Sequence, residues 1–426
     1  MVGPPFSACV WDFILTDLQI SLGKPGPERQ PGSGEVVPPA PDILKARIEQ
    51  YKSAAEGLRD MLLADLIHFG EIPAQTFAEE QRIRFLAGRF EEIGLTNISI
   101  DAVGNGMGIV AGSDGRRNLL VLTNADTIVK DIKDQTIEVR ADRLVGPFVG
   151  DNSIALAALT TLPLLLERLN LRLKSNVILL ATTRSLERGN LEGLKHFLAN
   201  SERSVEAGLC LESVQLGRLN YHCIGLLRGD IHCRLPGNYN WAQYGTTGSI
   251  IPMSEVVNRI SQIALPHRPL TTIILGMIKG GIAYNNIARE TVLSFEARSE
   301  SLDILNQIKQ QITDIITEVG ARSGVKITLD VIAQREPGGL DISHPLVRKA
   351  TAILTALGLQ PMLYSTTSQL SAIRDAKITG LTVGLTTGER RYELDEIDES
   401  VNIAPLSLGL AQVVGILQTI DEGGVS

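Results

Sequence analysis

The chain of 426 residues has few cysteines, few aromatic side chains and no excess of positive charge, and each shortage excludes a class of protein. Its four cysteines show no CxxC spacing and are too sparse for a disulfide framework in a chain of this length. A formal net charge of −8 argues against nucleic acid as a partner, because phosphate binding needs a concentrated basic surface. With reduced thiols and an acidic balance, the sequence predicts a cytoplasmic protein.

Long hydrophobic runs are also missing. The longest buried-looking runs, such as NVILLATT, have the length of a strand rather than of a membrane-spanning helix. The N-terminus does not resemble a signal peptide, because its apolar stretch VWDFIL is interrupted by Asp12 and follows no basic region. Hydrophobic residues make up 44% of the chain and charged residues 21%, which is typical of a globular protein. The length of 426 residues exceeds what one hydrophobic core supports, so we predict two domains. Because the apolar runs are too short to span a membrane, we also predict no membrane partner.

Residues 1–42 differ from the rest in composition. They include the segment GKPGPERQPGSGEVVPPAPD, whose proline and glycine content is incompatible with a helix or a central strand. We therefore predict a Pro/Gly-rich N-terminal extension. It is either a tail, which is the commoner role of such a composition, or an arm that docks on a neighbouring subunit.

From residue 43 onward, apolar strands alternate with amphipathic helices. The segments RRNLLVLTNADT, SNVILLATT and AGLCLES are typical of buried strands, and DNSIALAALTTLPLLLERL is typical of a long apolar helix. This order predicts an α/β domain, formed by residues 43–217 and 336–426, with a mostly parallel sheet covered by helices. Residues 218–335 have antiparallel-looking strands, GRLNYHCI, GDIHCRLP, TTIILGMI and ETVLSFEARS, and two amphipathic helices near 248–264 and 301–323, so we predict an inserted α+β lid domain.

Three acidic residues lie at or just beyond the ends of predicted strands, namely Asp126 in TNADT, Asp151 in GPFVGDNS and Glu212 in CLES. Ligands of parallel α/β sheets bind beyond the carboxyl ends of the strands, which makes these carboxylates candidate metal ligands. They are also compatible with a structural role, as caps of loop ends or as salt-bridge partners, and we favour this structural role over metal binding.

Six phrases in order carry a resemblance to a known family: GPFVGDNSIALAAL, RGNLEGLKHFL, LGRLNYHCIGLLRGD, YNWAQYGTTGSI, KGGIAYNNIARETVLSFEARS, and HPLV followed by YSTTSQ. In these phrases the chain resembles the M-twenty metallopeptidases, the di-zinc family of aminoacylase, peptidase T and glutamate carboxypeptidase. The resemblance implies a zinc-exopeptidase-like fold, a lid that also serves dimerisation, and a homodimer. It covers nearly everything from Ile43 to Asp421.

The same resemblance implies a metal site from which ligands are missing. In the family, two zinc ions share a bridging water, and a glutamate acts as the general base. The family's His-x-Asp pair falls on Asn124 and Asp126, and its bridging aspartate falls on Asp151. Its Glu-Glu pair of base and ligand falls on Ser185 and Leu186. The imidazole, the base and one carboxylate are therefore absent at these positions.

The remaining positions are mixed. A further liganding carboxylate falls on Glu212 and is present, whereas the final histidine ligand falls on Tyr392. The lid histidine that polarises the substrate carbonyl falls on Tyr239. Two lid residues that grip the substrate, Asn285 and Arg298, match the family pattern and imply that part of a pocket for a carboxylate-bearing small molecule persists. We expect no intact catalytic residue and no bound zinc.

Three functions follow from this pattern. The first is a catalytically degenerate homologue, a pseudo-peptidase that acts in homo-oligomeric assembly or small-ligand binding. The second is a metal-dependent peptidase or amidohydrolase, acting on peptides or N-acyl amino acids, that keeps a single hard cation between the remaining carboxylates. The third is a structural protein that forms a larger homo-oligomer through the N-terminal arm and the lid.

Loss of the zinc ions leaves the three carboxylates without a counter-charge, which raises their proton affinity or demands a replacement cation. Arg184, Arg390 and Arg391 lie next to lost ligand positions in the sequence. We therefore hypothesise that one or more of these guanidinium groups occupies the former zinc space.

Overall fold

A computed structural model describes residues 41–128, 134–237, 248–392 and 397–423. All of them belong to one unit, Pro39–Ser426. Most of the predicted N-terminal extension lies outside the described residues, as does Tyr239, so the predicted domain boundaries stay a prediction. The backbone of Tyr392 is described, but its side chain is not.

The described helices alternate with the strands along most of the chain. The helices are α1 (Pro41–Glu56), α2 (Arg59–Glu71), α3 (Glu80–Glu92), α4 (Ile154–Arg168), α5 (Glu192–Asn200), α6 (Ile250–Ser261), α7 (Leu302–Ser323), α8 (Pro345–Ala356), α9 (Leu370–Asp375) and α10 (Leu406–Asp421). The strands are β1 (Thr96–Ile100), β2 (Gly106–Val110), β3 (Asn118–Asn124), β4 (Glu138–Val139), β5 (Arg143–Val145), β6 (Asn176–Thr182), β7 (Ala207–Val214), β8 (Leu219–Asn220), β9 (His222–Cys223), β10 (Gly225–Arg234), β11 (Thr271–Gly280), β12 (Glu290–Ser299), β13 (Lys326–Arg335), β14 (Gly338–Gly339), β15 (Thr379–Thr386), β16 (Gly388–Tyr392) and β17 (Ile397–Asn402).

The central sheet has the strand order β1-β2-β6-β3-β7-β15-β8. Its four inner strands, β6, β3, β7 and β15, are parallel to their neighbours within that group, and the outer strands β1, β2 and β8 pair in the antiparallel direction. Every residue of β3 and β6 is buried, as expected for strands that helices cover on both faces. The predicted α/β class is confirmed, and its antiparallel strands lie at the sheet edges.

The largest core cluster lies on one face of the central sheet, where α4 packs against α1, α2, α3 and α10, and α8 packs against α1 and α10. A smaller cluster with α5 and α9 covers the other face. The segment Val149–Arg168 is long and apolar enough to cross a membrane, contrary to our expectation that no stretch has this length, but its apolar 18-residue window is 94% buried inside the protein. It therefore acts as the core helix around which the other helices pack.

The lid has a four-stranded antiparallel sheet in the order β11-β12-β10-β13. The helices α6 and α7 pack on one of its faces and form a separate hydrophobic core. The sequence analysis identified β10, β11, β12 and both helices but not β13, whose outer residues are largely exposed and so lack a strong apolar signal. Strand β11 lies at one edge of the lid sheet.

Candidate functional site

The candidate site lies where β3 and β6 end at the same edge of the central sheet. The two strands are parallel and in register, with Asn124 paired to Thr182, so the loops that follow them leave side by side. The loop after β6 places Arg184, Asn190 and Leu191 in the left-handed region, with φ of 51°, 50° and 60°. Non-glycine residues rarely adopt this conformation, and such strain concentrates at functional sites.

Asp126 ties the loop after β6 to the sheet. Its Oδ2 atom accepts hydrogen bonds from the backbone amides of Ser185 and Leu186, both at 2.8 Å, and from the Thr76 hydroxyl at 2.9 Å. The side chain is fully buried. Three of the positions singled out from the sequence are therefore brought together, with the carboxylate of Asp126 facing backbone donors of the other two.

Asn124 is the centre of a buried amide network. Its Nδ2 donates to the backbone oxygen of Asp126 at 2.9 Å, and its Oδ1 accepts from the side-chain amides of Asn152 and Gln369. The Gln369 Oε1 atom accepts from the Thr182 hydroxyl at 3.2 Å, and this hydroxyl lies 3.1 Å from the Ser185 hydroxyl. The sequence analysis missed Asn152 and Gln369, although both lie in the quoted phrases GPFVGDNS and YSTTSQ.

A buried arginine that the sequence analysis also missed lies beside this network. Arg82 on α3 donates from Nη1 to the backbone oxygen of Ala125 at 3.1 Å and from Nη2 to that of Ile72 at 2.8 Å. Burial lowers the pKa of its guanidinium to about 10, while the negative charges of Asp151 and Asp126 act in the opposite direction. Arg82 therefore remains a cation at neutral pH, next to two of the candidate carboxylates.

The hypothesis that Arg184 occupies the former zinc space is wrong. Its Nη1 atom donates to Glu192 Oε1 at 2.6 Å, and its guanidinium lies 5.9 Å from the centre of the Phe77 ring. The short connection to α5 places Glu192 within reach on the outer side of the loop, which draws the arginine away from the cleft. The side chains of Arg390 and Arg391 lie outside the described residues.

The other two candidate carboxylates are placed differently. Glu212 lies on β7, and its Oε2 atom is 3.6 Å from Nη1 of Arg218. The same arginine donates from Nε to the Tyr364 hydroxyl at 3.0 Å. Asp151 is buried at the start of the helical segment that leads into α4. Within the described ranges, no three His, Cys, Asp or Glu side chains converge in a group that could hold a metal ion.

Comparisons with known proteins show what this chain resembles. A family model described as "Peptidase dimerisation domain" matches residues 237–323. The di-peptidase Dug1p from Saccharomyces cerevisiae has a similar structure, with a TM-score of 0.71 at 12% identity over 88% of this chain and 98% of that chain. A tripeptidase from Staphylococcus aureus is 18% identical, with a TM-score of 0.65 over 85% of this chain and 99% of that chain. The resemblance to the M-twenty metallopeptidase family is confirmed.

A third M-twenty structure, from Bacillus subtilis, is described as a dinuclear metal binding peptidase and has a TM-score of 0.59 at 12% identity, covering 86% of this chain and 99% of that chain. A search of curated protein sequences gives no match. At these identities the structural likeness establishes the fold of this chain and not its activity.

The two lid residues that match the M-twenty substrate pattern do not lie together in one chain. Arg298 pairs across the sheet with Thr272 at the start of β11, whereas Asn285 lies in the exposed loop after the end of β11. The length of β12 separates them by roughly 25 Å at about 3.3 Å per residue. Arg298 donates from Nε to Glu296 on the same strand at 2.6 Å.

The loop after β6 also contacts the lid. Arg188 forms ion pairs with Asp230 on β10 and with Asp330 on β13, the latter at 3.1 Å. The Asn190 Oδ1 atom accepts two hydrogen bonds from Arg335 at 3.2 Å and 3.0 Å. The loop that holds Ser185 and Leu186 is therefore anchored at Asp126 on one side and at the lid on the other.

Replacing Asp126 with asparagine is expected to change how stability depends on pH. Burial raises the pKa of this carboxyl from its ordinary 3.8 to about 6, so the folded chain holds the proton more tightly than the unfolded chain. The stabilisation is fully present below about pH 4 and is lost as pH rises through about 6, which amounts to about 3 kcal/mol. Relative to the original protein, Asp126→Asn should gain about this much between pH 4 and pH 7. Urea unfolding at both pH values measures it, and a constant difference would contradict it.

Proposed function

We propose that this chain is a catalytically degenerate M-twenty homologue that assembles into homodimers through its lid and does not hydrolyse peptides. The observation that carries the proposal is that the side chains at the former ligand positions bond to one another and to the backbone. Asn124 binds the backbone of Asp126, and the Asp126 carboxylate binds the amides of Ser185 and Leu186.

The donor chemistry supports the absence of a zinc pair. Structural and catalytic zinc sites need three or four ligands of nitrogen, sulfur or carboxylate oxygen. Here one position offers an amide and another offers a leucine, while Oδ2 of Asp126 already accepts three hydrogen bonds. Glu212 is within ion-pair distance of Arg218. These residues do not fit two zinc ions.

The base position supports the loss of hydrolysis. The Ser185 hydroxyl lies 3.1 Å from the Thr182 hydroxyl and 3.4 Å from the backbone oxygen of Thr183. A hydroxyl cannot take a proton from water at neutral pH as a carboxylate does. Loss of a general base alone costs about two to four orders of magnitude in rate.

Self-association is supported by the β11 edge of the lid sheet, which pairs with no further strand among the described residues. Strand β11 lies at the edge of the lid sheet and exposes Ile274, Met277 and Ile278, and the start of α6 exposes Ile250 and Ile251. An apolar sheet edge of this length promotes pairing with another chain. The match of residues 237–323 to a dimerisation domain makes a second copy the favoured partner, in an isologous dimer.

Metal analysis combined with activity assays tests the proposal. We expect purified protein to contain far less than one zinc ion per chain, and hydrolysis of dipeptides, tripeptides and N-acyl amino acids to stay at background with or without added zinc. The tripeptidase from Staphylococcus aureus, which has the same fold, serves as the positive control under identical conditions.

The opposite result would favour a metal-dependent peptidase or amidohydrolase with a reduced site. Stoichiometric metal together with hydrolysis that a chelator abolishes would establish this alternative, which the buried carboxylates of Asp126 and Asp151 support. Arg298, half-buried on β12, is the residue through which we propose that a carboxylate-bearing small molecule binds. Arg298→Met should then abolish any thermal shift that such molecules produce in the original protein.

A further inference from the structure

We propose that Arg82 and Arg218 supply, from within the chain, the positive charge that a metal pair would place among Asp126, Asp151 and Glu212. The inference rests on the proposed metal-free site and goes beyond it, because it assigns a role to two arginines. In this proposal the guanidinium groups of Arg82 and Arg218 provide the two positive charges that two zinc ions would otherwise provide.

The position of Arg82 is the first observation. On α3 it shares the buried face with Ile83, Leu86 and Phe90, where an apolar residue would continue the helix pattern. Removing a guanidinium from water costs several kcal/mol unless opposite charge and hydrogen bonds compensate. Two carbonyl oxygens hold its Nη atoms, and its Nε atom has no hydrogen-bond partner among the described residues. Hydrogen bonds alone therefore leave the charge incompletely compensated.

The carboxylates complete the account of Arg82. The carbonyl of Ala125 that accepts from Nη1 belongs to the peptide unit immediately before Asp126, which places the cation beside the candidate site. Asp126 and Asp151 are both buried and both act on the Arg82 charge. Two other buried acids nearby have donors of their own, since Glu79 accepts from the backbone amide of Arg184. Glu399 likewise accepts from the amide of Gly150.

Arg218 takes the equivalent place beside Glu212. It approaches this carboxylate at 3.6 Å, and its side chain is 15% exposed against 19% for Glu212, so water screens the pair only partly. The Tyr364 hydroxyl accepts from its Nε atom, and the guanidinium lies 5.7 Å from the centre of the Tyr364 ring. These contacts fix the Arg218 side chain in an orientation toward Glu212, which a flexible surface arginine would not maintain.

A double-mutant cycle tests the role of Arg82. We expect Arg82→Met to lower the melting temperature by roughly 5 °C or more, because it removes a buried positive charge beside the buried carboxylate of Asp126. The effect of Asp126→Asn on the melting temperature should be more favourable in the Arg82→Met background than in the original protein, by at least half of that loss. Arg82→Lys, which keeps the charge but not the paired hydrogen bonds, should lose less than Arg82→Met. Melting is measured with a chelator present, so that metal contributes nothing.

The matched control uses an acid that belongs to another arginine. Asp65 is buried and pairs with Arg89, which lies on the same helix as Arg82. Asp65→Asn combined with Arg82→Met should give the sum of the two single effects, since distant sites are additive. Arg218→Met and Glu212→Gln form the second cycle, which is expected to be coupled like the first.

The outcomes separate the two proposals. Strict additivity of both Arg82 with Asp126 and Arg218 with Glu212 overturns the inference, whatever the metal content of the protein. Stoichiometric metal in the original protein overturns the proposed function instead. If Arg82→Met yields no soluble protein, recovery of soluble protein in the double variant with Asp126→Asn supports the inference, and failure to recover it counts against it.

Discussion

Replacement of Ile274 and Ile278 by lysine is expected to halve the mass of the protein in solution. Both side chains lie on the edge strand β11, where they are 45% and 55% exposed. If β11 of one chain pairs with β11 of another, two lysines per chain place four positive charges in one antiparallel contact. Charged residues at an edge strand prevent such pairing, so the dimer should dissociate at micromolar concentration. Light scattering coupled to size exclusion measures the mass.

A second edge strand provides the control for this experiment. Ile100 on β1, at the edge of the central sheet, is 48% exposed, and Ile100→Lys should leave the mass unchanged. Removal of residues 1–42 should also leave a dimer. A fall in the number of chains per assembly on that deletion would favour the larger homo-oligomer built by the N-terminal arm. An unchanged mass in the double lysine variant would contradict the lid dimer.

Gly409→Ala is expected to cause the largest loss of stability among the single substitutions considered. Gly409 lies in the first turns of α10, and a Cβ atom there would come within 1.9 Å of the backbone oxygen of Leu385 on β15. Backbone cannot yield as a flexible side chain does, so the helix must move away from the sheet. We expect a loss of about 3 kcal/mol or more, measured by urea unfolding.

Another helical glycine gives the matched comparison. Gly88 on α3 has no heavy atom within 4 Å of the Cβ position. Gly88→Ala should therefore stabilise the protein by about 0.5–1 kcal/mol, since alanine favours the helix and restricts the unfolded chain. Equal effects at the two glycines would show that helix propensity, and not the approach to Leu385, determines the result at Gly409.

Local patterns in the sequence were sufficient to predict most of the fold. The uninterrupted apolar runs of β3 and β6 indicated strands covered on both faces, and the change of texture after Gly217 indicated the lid. Strand β13 was missed because its exposed polar residues conceal the alternation. The length of the apolar segment Val149–Arg168 was also misjudged, since its polar start in GDNS hides its continuity with α4.

The candidate site was predicted less completely. Asn124, Asp126, Ser185 and Leu186 were singled out through the resemblance to the family, and they lie together in the structure because the ends of parallel strands meet at one edge of a sheet. The position of the counter-charge was not predictable in this way. Arg184 was chosen for its nearness in sequence, whereas the buried cation comes from α3, about a hundred residues earlier in the chain.

The sequence by itself determined the resemblance to the M-twenty family, the α/β fold, and the residue types that stand where the resembled family has its imidazole and carboxylate ligands. These depend on residue type, order and periodicity, which are local properties. Only the tertiary structure decided that Arg82 is buried against the backbone oxygen of Ala125, that Gln369 bonds Asn124 from 245 residues away, and that Arg188 anchors the loop to the lid. These contacts join residues that are far apart in the sequence, and they depend on how the helices and strands pack in space. No local pattern in the sequence predicts which of these residues will meet.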